Sequence, residues 1–531
     1  MLFDFVIVGA GSAGCVLANR LSACGKYNVA LVEAGGRDSS PWIHIPVGYF
    51  RTMGNPATDW CYRTEADPGL NGRAIAWPRG KVLGGSSSIN GLLYVRGQSQ
   101  DFDHWRQLGN VGWGWDDVMP LFRRMENWEG NPSEARGQGG PLNVSEGWLR
   151  RDVVDSWLEA AAGLGYTRTD DYNGVDQEGV GQFQMTMRRG RRCSSAAAFL
   201  KPALGRKNLR VITGAQTRHL VMDGRRAAGI VYRQNGQDVT LSARREVVVS
   251  AGALGSPHLL MLSGIGAGAV LRNQGIAVVH DLPGVGQNLQ DHLQARPVYK
   301  TTASTINSET RHPLQYIGIA LQYALRRRGP MAMAASLGTA FLKTRPDLET
   351  PDIQFHIQPF SADRPGAGTH AFSAFTASVL QLRPQSTGHL QLKSPSPDDY
   401  IGIHPNYLSA QTDCDTIIAG VKIARAVCNA DPVRALITEE FSPGPSVPDG
   451  DDAAILEWVR NTATTIYHPT GTCKMGTDPT SVVDPRLRVH GIQGLRVADA
   501  SIMPAITSGN TNAPSMMIGE KAADLVLEDA A

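Results

Sequence analysis

The first 33 residues constrain the fold more than any other stretch of the chain. An apolar run at residues 3–8 leads directly into Gly9-Ala10-Gly11-Ser12-Ala13-Gly14, and apolar side chains follow at helical spacing over residues 13–21. A second apolar run at residues 28–32 ends at Glu33. This order predicts a strand, a glycine turn, a helix, a second strand and an acid, which is typical of a βαβ unit that binds a dinucleotide.

Each position of this turn has a physical role if a dinucleotide binds. Gly9 permits the tight turn, Gly11 lets the backbone approach a pyrophosphate, and Gly14 lets the helix pack closely on the strand. The helix N-terminus offers unpaired N–H groups to the phosphates, and Glu33 accepts hydrogen bonds from ribose hydroxyls. The alternative is a glycine-rich turn in an ordinary βαβ unit. The stretch alone does not distinguish NAD, NADP and FAD.

Length and charge narrow the class of protein. A chain of 531 residues is too long for one core, so two or three domains are expected. Lys and Arg total 51 against 49 for Asp and Glu, so no global field attracts nucleic acid, and no nucleic-acid partner is expected. Arginine-rich runs at residues 188–192 and 326–328 are typical of solvated faces, with phosphate or membrane-surface contact as the alternative.

The cysteine pattern and the N-terminus bear on location. Seven cysteines are dispersed without a CxxC pair, which indicates reduced thiols in a protein that is not secreted. No metal-ligand spacing stands out, so no metal is expected. No apolar run reaches the roughly 18–20 residues of a spanning helix, and a signal peptide is not expected. We therefore expect a cytoplasmic protein, with peripheral contact to the cytoplasmic membrane as the alternative.

A second glycine turn follows an irregular stretch. Residues 34–78 are rich in Gly, Pro and Trp and lack periodicity, so we expect them to wrap the cofactor. Gly84-Gly85-Ser86-Ser87-Ser88-Ile89-Asn90-Gly91 then predicts a turn that approaches a ligand closely and starts a helix. Periodicity predicts helices over residues 116–125, 152–163 and 412–428, and strands over residues 209–212, 229–232, 247–249, 353–357, 375–382 and 389–393.

From about residue 297 the pattern changes to alternating strands without glycine fingerprints. We predict an α/β protein with an α+β second domain. A Rossmann-like domain is assigned to residues 1–155, 208–296 and 462–531. A substrate-binding domain with an antiparallel sheet flanked by helices is assigned to residues 156–207 and 297–461. Alternation leaves open whether His356 and Gln358 line the pocket or face the core or solvent.

The last seventy residues carry the most reactive pair of side chains. His468 lies in a loop of Pro and Gly, and Asn510 lies at the mouth of a helix. A strand at residues 495–498 leads to Asp499 between them. A histidine in such a loop is either catalytic or serves local capping and packing. A nucleophilic pair of Cys473 with His468 is disfavoured, because the neighbouring motifs already account for this loop.

Long motifs are spread over the whole chain. They are GAGSAG with Glu33, LGGSSSIN, GALGSPHLLMLSGIG, VGQNLQDH, YHPTGTCKMG, VADASIMP and GNTNAPSMMIGEKAAD. Together they resemble the glucose-methanol-choline (GMC) family of flavoprotein oxidoreductases. Within that family the chain is similar to bacterial alcohol dehydrogenases, and residues 191–209 look like those of L-sorbose dehydrogenases.

The resemblance implies FAD as the cofactor and assigns roles to residues. His468 corresponds to the base that takes the hydroxyl proton, and Asn510 to the residue that holds the alkoxide oxygen while hydride passes to flavin N5. Some choline-oxidising relatives bind FAD covalently through a histidine where this chain has Ile89, so we expect non-covalent FAD. The implied cofactor-binding residues are Gly9, Gly11, Ser12, Ala13, Gly14, Glu33, Ala34, Gly84, Gly85, Ser88, Asn90, Gly91, Asp499, Ala500, Asn510 and Thr511.

The expected function is that of an FAD-dependent dehydrogenase. It would oxidise a small-molecule alcohol or sugar hydroxyl, such as L-sorbose, a polyol or a primary alcohol, and pass the electrons to a quinone or similar acceptor. The alternatives are an alcohol oxidase that makes H2O2, a choline dehydrogenase, a hydroxynitrile lyase on the same scaffold, and a flavin-binding relative without catalysis.

Overall fold

Two large β-sheets organise the chain. The computed structural model describes residues 1–363 and 368–531 and contains a sheet of seven strands and a sheet of eight. We call them the first sheet and the second sheet. The first contains the N-terminal strand, and the second contains the strands predicted at residues 353–357 and 375–382.

The first sheet is built around the N-terminal strand. In spatial order its strands are Leu209–Ile212, Val29–Val32, Leu2–Val8, Gln237–Val249, Arg226–Gln234 and Gln216–Asp223, and Leu495–Val497 also pairs with Gln237–Val249. All pairs are parallel except the two that involve Arg226–Gln234. Ile7 pairs with Leu31 on one side and Val248 on the other, and all three are buried. Apolar strands of this kind suit a parallel sheet that is covered on both faces.

The two ends of the chain meet on this sheet. Helix Ser12–Ala23 follows the first strand, and helix Asn512–Ala530 packs against it. Ser12 Oγ donates a hydrogen bond of 2.8 Å to Asn512 Oδ1, and Arg20 forms a bidentate pair with the buried Glu520. The glycine turn is therefore supported by residues some five hundred positions away.

The second sheet is antiparallel throughout. In spatial order its strands are Ile437–Ser442, Val298–Thr301, Ala374–Gln381, Ile353–Gln358, Gly338–Leu342 and Gly179–Gln182, and Leu293–Ala295 pairs with both Ala374–Gln381 and Thr464–Thr465. Helix Gln411–Cys428 packs on the sheet. The other longer helices are Ser99–Gln107, Trp115–Met125, Asp152–Gly163, Gly252–Leu262, Gly268–Asn273, Pro313–Arg326 and Asp452–Thr462.

This architecture confirms the predicted α/β fold with an antiparallel second sheet. The predicted strand at 229–232 is longer, Arg226–Gln234, and the one at 389–393 is shorter, His389–Gln391, and pairs with Gly402–His404 outside the second sheet. The domain limits stay a prediction. Strands Leu293–Ala295 and Thr464–Thr465 fall within the ranges assigned to the first domain, yet both pair in the second sheet.

Helix length and polarity bear on membrane spanning. Across residues 1–363 and 368–531, no helix combines the length and apolar character that crossing a bilayer requires.

Candidate active site

A cavity of about 480 Å³ is lined by residues of both sheets. Its first wall is formed by the carboxyl ends of first-sheet strands, with Val8, Val32 and Ser250 among the lining residues. Its second wall includes His356 and Gln358 from the second sheet. Ligands of open α/β sheets bind beyond the carboxyl ends of the strands, and the volume is in the range of small-molecule and cofactor sites.

The three glycines of the first turn differ in what a side chain would meet. A Cβ on Gly14 would lie 1.9 Å from Gly9 O, and one on Gly9, where φ is +98°, would lie 2.4 Å from Ser250 O. A Cβ on Gly11 would have Ser250 O as its nearest neighbour at 3.8 Å. Packing of the protein itself therefore requires Gly9 and Gly14, whereas Gly11 borders open space in the cavity.

The helix after this turn presents an anion-binding end. Helix Ser12–Ala23 has no side-chain cap and no acid in its first turn, so its first N–H groups are available to a phosphate. Glu33 is buried beside it, and its two carboxylate oxygens accept hydrogen bonds of 2.8 Å from the N–H groups of Ala10 and Gly35. Burial raises the pKa of Glu33 to about 7. Each oxygen keeps a second lone pair for a ligand hydroxyl.

The second glycine turn touches the first. A Cβ on Gly85, where φ is +51°, would lie 2.7 Å from Gly11 Cα. Asn90 Oδ1 accepts hydrogen bonds from the backbone N–H of Leu92 and from Arg192 Nη1, the latter at 2.6 Å. The two turns therefore lie side by side, and residues of both line the cavity.

Most of the predicted cofactor positions line this cavity. They are Gly9, Gly11, Ser12, Ala13, Glu33, Ala34, Gly85, Asn90, Gly91, Asp499, Ala500, Asn510 and Thr511. Gly14, Gly84 and Ser88 are absent from the lining, and Ser88 Oγ donates instead to Leu83 O at 2.7 Å. Residues 34–78 contribute Tyr49, Phe50, Met53, Trp60, Tyr62 and Pro78 to the lining.

The structure brings His468 and Asn510 together at the cavity. Asn510 Nδ2 lies 3.0 Å from His468 Nε2. The loop that carries His468 is held by Asp291, which accepts a hydrogen bond of 2.7 Å from the His468 backbone N–H and further bonds from Thr465 and Tyr407. Burial raises the pKa of Asp291 to about 6. The imidazole is thus presented by a buried and hydrogen-bonded loop.

A chain of hydrogen bonds assigns the tautomer of His468. His292 Nε2 lies 2.9 Å from the carbonyl oxygen of Leu382, which only accepts, so this nitrogen carries the proton. His292 Nδ1 is then an acceptor, and His468 Nδ1, 3.0 Å away, donates to it. The lone pair of His468 therefore sits on Nε2, where it accepts from Asn510 Nδ2.

The surroundings keep this imidazole neutral. Burial is the largest cause that holds the pKa of His468 well below its usual 6.5, and the neighbouring His292, His356 and Arg79 lower it further. Burial also lowers the pKa of His292 to about 4. At neutral pH both rings are uncharged, which is the state that the hydrogen-bond chain requires.

The second sheet turns a polar face to the same cavity. Gln294, Arg296, His356 and Gln358 line it, as does Tyr49 from the irregular stretch. Buried atoms without a hydrogen-bond partner include Gln294 Oε1, His356 Nε2, Gln358 Oε1, Tyr49 OH and Asn510 Oδ1. Buried polar atoms rarely stay unpaired, so these are the atoms that a polar ligand would satisfy. The two positions that sequence left open, His356 and Gln358, both face the cavity.

Sequence reasoning missed His292 and Arg296. His292 ends the motif VGQNLQDH, and that motif is the sequence signal that could have identified it. Its partner His468 is 176 residues away. Arg296 had no signal, because an arginine after a short strand is ordinary. Its guanidinium has no carboxylate within 4.0 Å among the described residues, and burial lowers its pKa.

Cys473 has the surroundings of a structural thiol. It is buried, its N–H donates to Ser501 O at 2.8 Å, and burial holds the thiol pKa well above the usual value. A thiol that stays protonated is a poor nucleophile. As far as the described residues go, no group of three or more His, Cys, Asp or Glu side chains is arranged to hold a metal ion.

Comparison with protein families gives a match over most of the chain. The N-terminal model of the GMC oxidoreductases matches residues 3–294, and the C-terminal model matches residues 384–519. The chain belongs to the GMC oxidoreductase family. The family resemblance seen in the motifs and the predicted enzyme class, an oxidoreductase, are confirmed.

Individual GMC relatives cover the full length. An alcohol dehydrogenase [acceptor] of Pseudomonas putida is 42% identical over 99% of this chain and 96% of that protein. Human mitochondrial choline dehydrogenase is also 42% identical, over 99% of this chain and 89% of that protein. The crystal structure of pyridoxine 4-oxidase from Mesorbium loti has a TM-score of 0.90 at 32% identity, with 99% of both chains covered. Equal identity to the first two leaves the substrate open.

Proposed function

We propose that this GMC oxidoreductase is an FAD-dependent dehydrogenase. It oxidises an alcohol or sugar hydroxyl to the carbonyl and passes the electrons to a quinone-type acceptor. The observation that carries the proposal is the contact of 3.0 Å between His468 Nε2 and Asn510 Nδ2 in a cavity that also contains the glycine turn and Glu33. The names of the alcohol and choline dehydrogenase relatives support the same reaction class.

The residues present fit FAD. The open space at Gly11, the uncapped helix end and the free lone pairs of Glu33 suit a pyrophosphate and a ribose. The cavity continues from there to Asn90, His468 and Asn510, where the reactive ring would lie. Formate oxidase of Aspergillus oryzae, a solved relative whose FAD is modified, has a TM-score of 0.92 at 27% identity, with 99% of this chain and 98% of that chain covered.

The cofactor is held without a covalent bond in this proposal. Ile89 lines the cavity beside Asn90 and has no nucleophilic atom. Bound FAD supplies the hydride acceptor, its N5 atom. Extraction of the flavin after acid precipitation tests this point, and flavin that stays with the precipitate would contradict it.

His468 and Asn510 have complementary tasks. A substrate hydroxyl that enters between them donates its proton to His468 Nε2 and accepts a hydrogen bond from the Asn510 amide. As the proton leaves, negative charge develops on the substrate oxygen, and the amide stabilises it without a second charge. His292 Nδ1 accepts a hydrogen bond from His468 Nδ1, which keeps the proton on that nitrogen and the lone pair on His468 Nε2. His292 is therefore a positioning residue.

The second wall of the cavity favours a hydroxylated substrate. Gln294, Gln358 and Tyr49 offer unpaired polar atoms, which match a sugar or polyol better than an alkane chain. Arg296 places a positive charge in the same wall, with no carboxylate within 4.0 Å among residues 1–363 and 368–531, and this charge disfavours a quaternary ammonium such as choline. L-sorbose, a polyol or a primary alcohol is the proposed substrate, with the resemblance of residues 191–209 supporting the first.

Flavin reduction tests the reaction. We expect L-sorbose, a polyol or a primary alcohol to bleach the flavin absorbance in the absence of oxygen, and choline to bleach it far more slowly. Bleaching excludes lyase chemistry, which needs no flavin redox. A panel of alcohols and sugars that leaves the flavin oxidised would overturn the proposal.

An alcohol oxidase is the second candidate. Solved relatives named as oxidases, such as pyridoxine 4-oxidase, favour it. Turnover of one substrate with oxygen is compared with turnover with a dye acceptor. Faster turnover with the dye is expected for a dehydrogenase, and faster turnover with oxygen would assign an oxidase.

A further inference from the structure

Helix Pro313–Arg326 is exposed although its sequence is apolar. No charged residue occurs from Pro313 to Leu325. Leu314 is 84% exposed and Leu325 is 82% exposed, with Ile317 and Leu321 also exposed. Spacings of three and four residues place these four side chains on one face of the helix. We call this face the apolar ridge. A contiguous exposed ridge of this kind in a folded protein marks an interaction site.

The opposite face ties the helix to the protein. Tyr323 is the buried residue of this helix, and it points away from the ridge, about half a turn from both Leu321 and Leu325. Its hydroxyl donates a hydrogen bond of 2.9 Å to Gly190 O. The ridge therefore faces solvent because the helix is anchored on its other side.

This anchor brings together the two arginine runs that are far apart in sequence. Gly190 lies in the turn of the hairpin Met187–Arg188 and Arg191–Arg192, and a Cβ on Gly190 would lie 2.0 Å from Arg327 O. The exposed arginines of both runs thus surround the C-terminal end of the helix. We call them the arginine cluster: Arg188, Arg189, Arg191, Arg326, Arg327 and Arg328.

The arginine cluster is free of counter-charges. Within the part of the chain that the structure describes, no member has a carboxylate within 4.0 Å; the nearby Arg151, outside the cluster, has one in Glu309. Arg328 stacks 5.2 Å over the ring of Trp148, whose side chain is 44% exposed. A half-exposed indole stacked with an unpaired arginine is typical of side chains at a membrane–water interface.

We propose that the apolar ridge and the arginine cluster bind the surface of an anionic lipid bilayer. The ridge enters the boundary between headgroups and acyl chains, and the arginines contact the headgroup phosphates. Charge complementarity selects this partner over a second copy of the chain. A two-fold contact between two ridges would leave the six arginines of each copy without an anionic partner, because the ridge itself carries no acid. A nucleic acid would match the arginines but leave the ridge in water.

The helix is continuous with the wall of the cavity. After Arg328 the chain passes through the turn Pro330–Ala332 to Ala335, which lines the cavity and donates its N–H to Gly91 O at 3.1 Å. Binding to a bilayer would therefore hold the enzyme beside the lipid phase, in which a quinone dissolves. This inference does not depend on the proposed substrate or acceptor.

Vesicle flotation with the flavin-loaded full chain tests the proposal. Vesicles of phosphatidylcholine are compared with vesicles of phosphatidylcholine and phosphatidylglycerol, at low and high salt. We expect flotation with the anionic vesicles that weakens at high salt. Leu314→Asp with Leu325→Asp should lower the bound fraction at least about tenfold. Arg326→Gln with Arg328→Gln should weaken binding by about fivefold for each arginine.

Matched variants elsewhere serve as controls. Val111 is 78% exposed in the turn after helix Ser99–Gln107, and Val111→Asp should float like wild type. Arg210→Gln is the control for loss of an exposed arginine. Flavin content shows that each variant is folded. Absence of flotation by wild type, equal binding to neutral vesicles, or equal losses in the controls would overturn the proposal. A dimer that Leu314→Asp with Leu325→Asp dissociates, without vesicle binding, would assign the ridge to self-association instead.

Discussion

The two sheets contribute to one cavity in different ways. The first sheet offers backbone: the turn at Gly9 to Gly14, a helix end without a cap, and one acid, Glu33. The second sheet offers side chains, among them Arg296, His356 and Gln358. A site made of backbone requires positions without side chains, so its sequence signature is glycine at fixed spacing. A side-chain site can be built from many residues in many orders. The difference separates the cofactor end of the cavity from the end that would select the substrate.

The largest expected effect is the loss of turnover on substitution of His468, which lies between the cofactor end and the substrate end of the cavity. We expect His468→Ala to lower turnover by about 10²–10⁴, the usual contribution of a general base, while the flavin stays bound. Stopped-flow reduction of the flavin measures the loss directly. His104→Ala, at an exposed position of helix Ser99–Gln107, is the matched control. Unchanged reduction kinetics in His468→Ala would remove the central assignment.

Two glycine variants sharpen the idea of a backbone site. Gly11→Leu places a side chain in the open part of the cavity, and overpacking of about 1–3 kcal/mol weakens flavin binding about tenfold to a hundredfold. Gly14→Ala meets Gly9 O instead and should prevent folding.

Flavin titration and circular dichroism separate the two outcomes. Gly11→Leu should keep the native spectrum, whereas Gly14→Ala should not. Full flavin affinity in Gly11→Leu would show that the cofactor does not approach this turn.

The side-chain wall is tested through Arg296. Choline and 3,3-dimethylbutan-1-ol have the same shape and differ in charge. We expect wild type to prefer the neutral alcohol, and Arg296→Met to reduce this preference about tenfold, as expected for a charge interaction of about 1.4 kcal/mol. The ratio of kcat/KM for the two substrates is the measurement. Arg296→Lys should retain the wild-type ratio, and an unchanged ratio in Arg296→Met would contradict the role.

The smallest effect concerns pH. A lowered pKa keeps His468 Nε2 unprotonated below the usual 6.5, so acid removes the base only at lower pH. We expect kcat/KM to stay level from about pH 8 down through 6.5 and to fall below it. A fall centred near 6.5 would show that the imidazole behaves as an exposed histidine and that burial has no influence on it.

The same contrast explains what could be predicted from sequence. Gly9 and Glu33 were predicted to bind the cofactor because glycine turns and strand ends leave local patterns, and Asn90 because of the family resemblance; all three line the cavity. The contact of His468 with Asn510 followed from two local motifs of the family. Strand limits such as those at residues 353–357 followed from alternation and agree with Ile353–Gln358 to within one residue.

Other features have no local pattern. The tautomer of His468 depends on Leu382 O through His292, and both partners are distant in sequence. Alternation shows that His356 and Gln358 lie on the same face of a strand, but it does not show which face of the strand borders the cavity. The arginine cluster combines two runs that are each typical of solvated surface in the sequence, and the contacts of Gly190 with Tyr323 and Arg327 join them in the structure.

The packing of residues near position 520 on the N-terminal helix has a consequence for synthesis. Strand Leu495–Val497 completes the first sheet, and Glu520 pairs with Arg20. A nascent chain on the ribosome therefore lacks these partners until residues 495–520 have been translated. Until then, residues 247–249 of the first sheet lack their partner strand. Long-range pairings of this kind form slowly, and chains with unpaired strands are prone to aggregation. The glycine turn is translated some five hundred residues before the strand and helix that complete the pocket around it.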